Sequence, residues 1–110
     1  MVNCIDTETL RQWQHEGRDF VLIDTLPPKS FAGGHLPGAI NIVSDDILTQ
    51  ARKRLSNMNE AIVVYCASAQ CKRAPLAAER LESLGYHRIF HYKGGKKDWT
   101  AAKLPLEANS

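Results

Sequence analysis

The stretch Ala61-Ile62-Val63-Val64-Tyr65-Cys66-Ala67-Ser68-Ala69-Gln70-Cys71-Lys72-Arg73-Ala74-Pro75 decides the fold. Its first five residues are largely apolar without alternation, the pattern of a strand buried on both faces of a parallel sheet. A helical pattern runs from Pro75 to Leu84, with Ala77, Leu81 and Leu84 inward, and stops at Gly85. Pro75 falls in the first turn, where a missing N–H costs nothing. Cys66 thus ends a buried strand at the mouth of a loop leading into a helix. Backbone N–H groups converge at such a place and the helix dipole favours an anion. The thiol is therefore expected to have a lowered pKa and to rest as the thiolate, a nucleophile placed by the fold.

Upstream, Asp6 or Thr7 caps a first helix running to about Glu16, with Leu10 and Trp13 on one face and Gly17 as its stop. Phe20-Val21-Leu22-Ile23-Asp24 is a second unbroken apolar run ending in an acid. Thr25 to Gly38 holds three prolines and three glycines and is expected to be irregular, with one helical turn around Ser30-Phe31-Ala32. Ala39 to Ile42 forms a short strand, and Ser44 caps a helix with Ile47, Leu48, Ala51 and Leu55 at helical spacing. Downstream, Arg88 to Tyr92 is a further strand, and Gly94-Gly95 turns the chain into a short helix holding Trp99 that Pro105 ends. Strands alternating with helices predict an open, mainly parallel sheet with helices on both faces. Ligands of such sheets bind at the carboxyl ends of strands, where Cys66 lies.

At 110 residues the chain is one domain, residues 1–110, large enough for a core without metal or disulfide staples. The composition, 44% hydrophobic and 24% charged, excludes a disordered chain, and the longest apolar run is far short of a membrane span. No signal-peptide pattern opens the sequence, so a cytoplasmic location is expected. A formal net charge of +2 gives no reason to expect nucleic acid. Arg52-Lys53-Arg54 reads as a solvated face, whereas Lys72 and Arg73 directly follow the nucleophile and are placed to attract an anionic substrate.

The three cysteines, Cys4, Cys66 and Cys71, make an odd count that argues against a disulfide framework. One Cys-x4-Cys pair without partners at finger-like spacing argues against zinc, and His87 and His91 lie in a strand-like stretch that suits a shared metal poorly. No cofactor is therefore expected. His15 is read as a surface residue, and Cys4 as a buried residue of the first strand.

Several segments together resemble the rhodanese-homology family. Asp24-Thr25 followed by Phe31-Ala32-Gly33-Gly34-His35-Leu36-Pro37-Gly38-Ala39-Ile40-Asn41 is similar to its signature, Val64-Tyr65-Cys66 to its catalytic strand, and Gly85-Tyr86 with Tyr92-Lys93-Gly94-Gly95 and Trp99 to its C-terminal signature. The match spans residues 3 to 107 in the family's order. It implies a five-stranded parallel sheet flanked by helices, and sulfur transfer as the chemistry. The cysteine takes the outer sulfur of a donor such as thiosulfate as a persulfide. It then passes that sulfur to cyanide, a thiol or a protein cysteine.

The residues suit that chemistry independently. The backbone N–H groups of Ala67, Ser68, Ala69, Gln70 and Cys71 are expected to cradle the added anionic sulfur, and Lys72 and Arg73 to assist a departing sulfite. An ionised thiol needs no general base. His35, Gly38 and Gly94 are read as turn-shaping residues, the glycines through positive φ. Asp24 is expected to bond backbone in the loop after it, and Trp99 to pack in the core.

The chain departs from the family pattern at two places. Leu26 stands where the family often has an arginine, a residue expected to be structural or to shape the active-site region. Cys71 ends the six-residue loop at another frequent arginine position. Related phosphatases and arsenate reductases resemble Cys-x5-Arg; here that seventh position is Lys72, which cannot fork around a tetrahedral oxyanion, and the arginine falls one later. Cys71 admits two readings. It is a candidate resolving thiol that would release hydrogen sulfide and form a disulfide with Cys66 for a thioredoxin-like partner to reduce, or it packs as a small apolar residue at the helix start. The leading expectation is a sulfurtransferase acting on a small sulfur-containing anion, with a thiol or protein acceptor. A Cys66/Cys71 thiol–disulfide or sulfide-releasing reductase and a non-enzymatic binding module are the alternatives.

Overall fold

A computed structural model describes residues 2–108. Five parallel strands form one sheet: β1 (Asn3–Ile5), β2 (Val21–Asp24), β3 (Ile40–Asn41), β4 (Ile62–Tyr65) and β5 (Ile89–Tyr92), in the spatial order β1-β5-β4-β2-β3. Four helices connect them, α1 (Thr7–His15), α2 (Pro28–Gly33), α3 (Ile47–Arg54) and α4 (Arg73–Ser83), and α5 (Gly95–Ala101) follows β5. No helix among the described residues is long and apolar enough to cross a membrane.

The unbroken apolar runs mark the middle of the sheet because both faces there are covered. Strand alternation sends Ile62, Val64 and Cys66 to a cluster with Ile47 and Ala51 of α3, Leu55 just past its end, and Ala74, Ala77, Ala78 and Leu81 of α4. Val63 and Tyr65 face the other way, to Leu10 and Trp13 of α1, Trp99 of α5, Tyr92 and Leu36. The small alanines of α4 let that helix lie close on β4, which brings its first turn over the end of the strand.

Asp6 caps α1 by accepting from the Thr9 N–H at 2.8 Å, and Gly17, at φ 70°, ends that helix in the left-handed conformation. His15 is an exposed residue in the last turn. The helical turn expected around Ser30 is the six-residue α2.

Several expectations need correction. Cys4 is exposed, because β1 is a three-residue edge strand paired on one side only. Ser44 is not a helix cap: Ser44–Asp46 form a 3-10 turn, and α3 begins at Ile47 with no side-chain cap. Ser44 is instead buried, its N–H donating to the Thr25 carbonyl at 3.1 Å. Leu48 is 53% exposed, since α3 is short and its inward face is filled by Ile47 and Ala51. Gly94 has a right-handed backbone (φ −65°), whereas Gly38 (φ 83°) and Gly95 (φ 60°) carry the positive φ.

Candidate active site

Cys66 follows the last residue of β4, the central strand of the five, and is 1% exposed. Its main chain is held from the side of α5. The Lys96 N–H donates to the Cys66 carbonyl at 3.0 Å and the Lys97 N–H to the Ala67 carbonyl at 2.9 Å. The first N–H groups of α5, which have no partner inside the helix, are thereby satisfied by the cysteine loop. A side chain at Gly95 would run into the Cys66 carbonyl oxygen, so this approach requires glycine there for space as well as for φ. Gly94 is needed for a different reason, the closeness of the Asp98 side chain.

The loop then folds back on the thiol. The Cys71 N–H donates to the Ser68 carbonyl at 3.2 Å, which bends Ser68–Cys71 into a turn. Cys66 Sγ lies 3.5 Å from the Cys71 carbonyl oxygen and 3.9 Å from that of Ser68, positions suited to a protonated thiol donating to them. Ala67, Ala69 and Gln70 are exposed, while Ser68 and Cys71 are half-buried. Cys71 also packs against the aliphatic cluster.

Burial is the main influence on Cys66. Together with the hydrogen bond and the charge of the Cys71 sulfur it pushes the thiol up to about 11, against the N–H groups of Ala74 and Ala67, which favour the thiolate. For Cys71 burial also acts upward, but the hydrogen bond from Cys66, the N–H groups of Arg73 and Ala67 and the Arg73 charge outweigh it, so this thiol is lowered. The expectation of a resting thiolate on Cys66 is thus corrected: of the two thiols Cys71 is the one that ionises more readily. Strand alternation explains this, since Cys66 shares the aliphatic face of Ile62 and Val64. The cradle is also reassigned. The N–H groups that favour a sulfur anion belong to Ala67 and to Arg73 and Ala74 in the first turn of α4, while the Cys71 N–H is spent on the turn.

Lys72 is exposed beside the loop. Arg73 is half-buried and directs Nη1 to the Ser44 hydroxyl at 3.2 Å, which holds it at the α4 side of the loop. Arg80, two turns further along the same face of α4, donates to the Ser44 carbonyl and lies 3.9 Å from Asp45. The structure therefore gathers Cys66, Cys71 and Arg73 around one sulfur pair, with Lys72 outside it.

Beneath the site is a polar hub that sequence reading reached only in part. Asp24 is fully buried and accepts from the Leu26 N–H at 2.9 Å, the loop contact expected of it. Its other oxygen accepts from the Tyr65 hydroxyl at 2.8 Å, and Tyr65 in turn accepts from the Leu36 N–H at 3.0 Å. Burial, followed by the Asp24 charge, holds the Tyr65 hydroxyl protonated far into the alkaline range. Lys96 Nζ lies 3.8 Å from Asp24 and donates to the Ser30 carbonyl at 3.0 Å. Leu26, at the family's frequent arginine position, is buried among aliphatic residues, and the cation facing Asp24 comes from α5 instead. The only sequence sign of this was Lys96 behind the two glycines.

His35 is buried, stacked on Phe31 with ring centroids 3.9 Å apart, and donates from Nδ1 to the Phe31 carbonyl at 2.8 Å. Its main chain pairs with Glu107 at 2.8 Å in both directions, so it shapes the loop as expected. His87 bonds Asn59 at 2.7 Å, and His91 is buried in β5 with its pKa lowered by burial and then by Lys93. Among the described residues no group of three or more His, Cys, Asp or Glu side chains is placed to hold a metal ion. A groove of about 480 Å³ with Arg18 and Arg88 in its wall lies by Phe20 and Ala61, at the amino ends of β2 and β4 and therefore at the opposite end of the strands from Cys66.

The sequence profile of the rhodanese-like domain matches residues 6–102, and the chain belongs to this family. A sulfurtransferase of Allochromatium vinosum is 32% identical over 108 residues, covering 98% of this chain and 97% of that protein. The crystal structure of the BH2092 protein from Bacillus halodurans superposes with a TM-score of 0.89 at 25% identity, over 96% of this chain and 77% of that one. A thiosulfate sulfurtransferase from Pseudomonas aeruginosa gives a TM-score of 0.86, also at 25% identity, over 97% of this chain and 20% of its own.

Proposed function

We propose that the protein is a sulfurtransferase in which Cys66 carries the transferable sulfur. The observation that supports this most is the convergence of the Ala67 and Ala74 N–H groups on a thiol at the carboxyl end of the central strand. The donor is a small anion with a sulfane sulfur, thiosulfate being the simplest. The Cys66 thiolate attacks the outer sulfur, the S–S bond of the donor breaks, and sulfite leaves with the bonding electron pair. Arg73 and Lys72 at the loop favour the incoming anion and the departing one. The terminal sulfur of the persulfide then passes to a thiol, cyanide or a protein acceptor, thioredoxin-like proteins among them. Sulfurtransferases among the relatives support the same reading.

Because only the thiolate attacks, a pKa pushed up to about 11 sets the pH dependence. Loading of Cys66 is expected to accelerate about tenfold per pH unit from neutrality and to level off near pH 11. Mass spectrometry after incubation with thiosulfate tests the reading. Cys66 gains about 32 Da, one sulfur, and Cys66→Ser abolishes the gain. A gain that survives that substitution, or no gain at any pH up to 11, sinks the proposal.

A further inference from the structure

Resting on that reading, we propose that Cys71 is a resolving thiol: it attacks Sγ of the Cys66 persulfide, expels the terminal sulfur as hydrosulfide and closes a Cys66–Cys71 disulfide that an external dithiol then reduces. The step is Cys66–S–SH plus Cys71–S⁻ giving Cys66–S–S–Cys71 plus HS⁻. The bond between Sγ and the terminal sulfur breaks, and the terminal sulfur leaves with its electron pair and its proton, reduced to sulfide. The two cysteine sulfurs keep the oxidation as their disulfide. The dithiol returns two electrons and two protons and becomes a disulfide itself.

The geometry supplies the encounter. The Ser68–Cys71 turn brings the Cys71 main chain to 3.5 Å from Cys66 Sγ. The two sulfurs are near enough that each alters the ionisation of the other. A disulfide needs Cα atoms within about 7 Å, a span that a six-residue loop folded back on itself can meet. Cys66 is anchored by α5 through Lys96 and Lys97, whereas Cys71 follows the exposed residues Ala69 and Gln70, so the closing movement falls to Cys71.

Chemistry also selects the sulfur that is attacked. Attack on the terminal sulfur would move it to Cys71 and expel the Cys66 thiolate, which burial makes a strong base and hence a poor leaving group. Attack on Sγ expels hydrosulfide, a weaker base that solvent receives. The attacking thiol is the one whose pKa the Cys66 hydrogen bond, the Arg73 and Ala67 N–H groups and the Arg73 charge lower. Access points the same way: Cys66 is 1% exposed and Cys71 is half-buried at the surface, so a bulky reductant meets the pair from the Cys71 side.

The experiment uses the full chain with the exposed Cys4 changed to Ser, to prevent exchange with a third thiol. The protein is loaded with thiosulfate, freed of it, and followed by sulfide release and peptide mass. The expected result is about one equivalent of sulfide, a mass about 2 Da below the reduced protein and a Cys66–Cys71 cross-link that dithiothreitol reverses. Cys71→Ser, once loaded, retains the added sulfur and releases none. A wild-type persulfide on Cys66 as long-lived as that of Cys71→Ser, or sulfur recovered on Cys71, overturns the inference while leaving sulfur transfer standing. Failure of both proteins to load counts against the sulfurtransferase reading. Diamide then tests the pair directly, because mild oxidation that does not cross-link Cys66 to Cys71 also overturns the resolving role.

Discussion

On the α3–α4 face of the sheet the buried side chains are Ile, Val, Leu and Ala around a thiol, with Tyr86 the one buried aromatic there among the described residues; on the α1–α5 face they include Trp13, Tyr65, Tyr92 and Trp99. The aromatic face has polar handles, and three of them are hydrogen-bonded: Tyr65 to Asp24, Tyr92 to Thr7 at 2.5 Å, and Trp99 Nε1 to the Pro105 carbonyl at 2.8 Å. The aliphatic face has one, the Tyr86 hydroxyl, which donates to the Leu55 carbonyl away from the thiol. Tyr65 and Cys66 are neighbours in the chain and point to opposite faces, so the hydroxyl enters a hydrogen-bonded hub and the thiol an apolar wall. Position is set by the aromatic side and reactivity by the aliphatic side.

Trp99→Ala puts that division under the greatest stress. It removes the largest fully buried side chain, and urea unfolding is expected to show a loss of about 3–5 kcal/mol. Because Trp99 seats α5, and α5 holds the Cys66 and Ala67 carbonyls, thiosulfate loading is expected to fall under conditions where the variant remains folded. Leu81→Ala removes a fully buried residue on the other face and is expected to cost about 2–5 kcal/mol. Loading of the folded fraction should persist, since the clasp from α5 is untouched. Equal loading by the two variants would erase the proposed division of labour. The smallest effect is expected of Tyr65→Phe, which keeps the ring but leaves an Asp24 oxygen and the Leu36 N–H without the hydroxyl between them. The expected cost is about 1–3 kcal/mol in the same unfolding assay, and a value near zero would show that the hub does not need it.

Much of this was legible along the chain. The runs ending at Asp24 and Tyr65 announced central parallel strands because their residues are apolar at every position, and a strand covered on both faces needs that. Asp6 and Gly17 announced the ends of α1 through groups that bond locally. Ser44 misled because a serine before an acidic pair has the look of a cap, yet its hydroxyl is taken by Arg73 from a helix 29 residues away in sequence. Cys4 misled because an apolar residue type in a strand implies burial only where the strand has neighbours on both sides.

By itself the sequence determined the order of strands and helices, the carboxyl-end placement of Cys66 and the six-residue loop that ends in a second thiol. Those follow from periodicity, spacing and residue type, all of them local. Tertiary structure decided the charge state. Whether a thiol at a helix N-terminus is ionised depends on what covers it, and Ile47, Ala51 and Ala77, brought from other segments, help build the wall that keeps Cys66 protonated. It also decided that Lys96, distant in the chain, faces the buried Asp24 and holds the cysteine's carbonyl, because contacts between segments form only once the sheet brings them together.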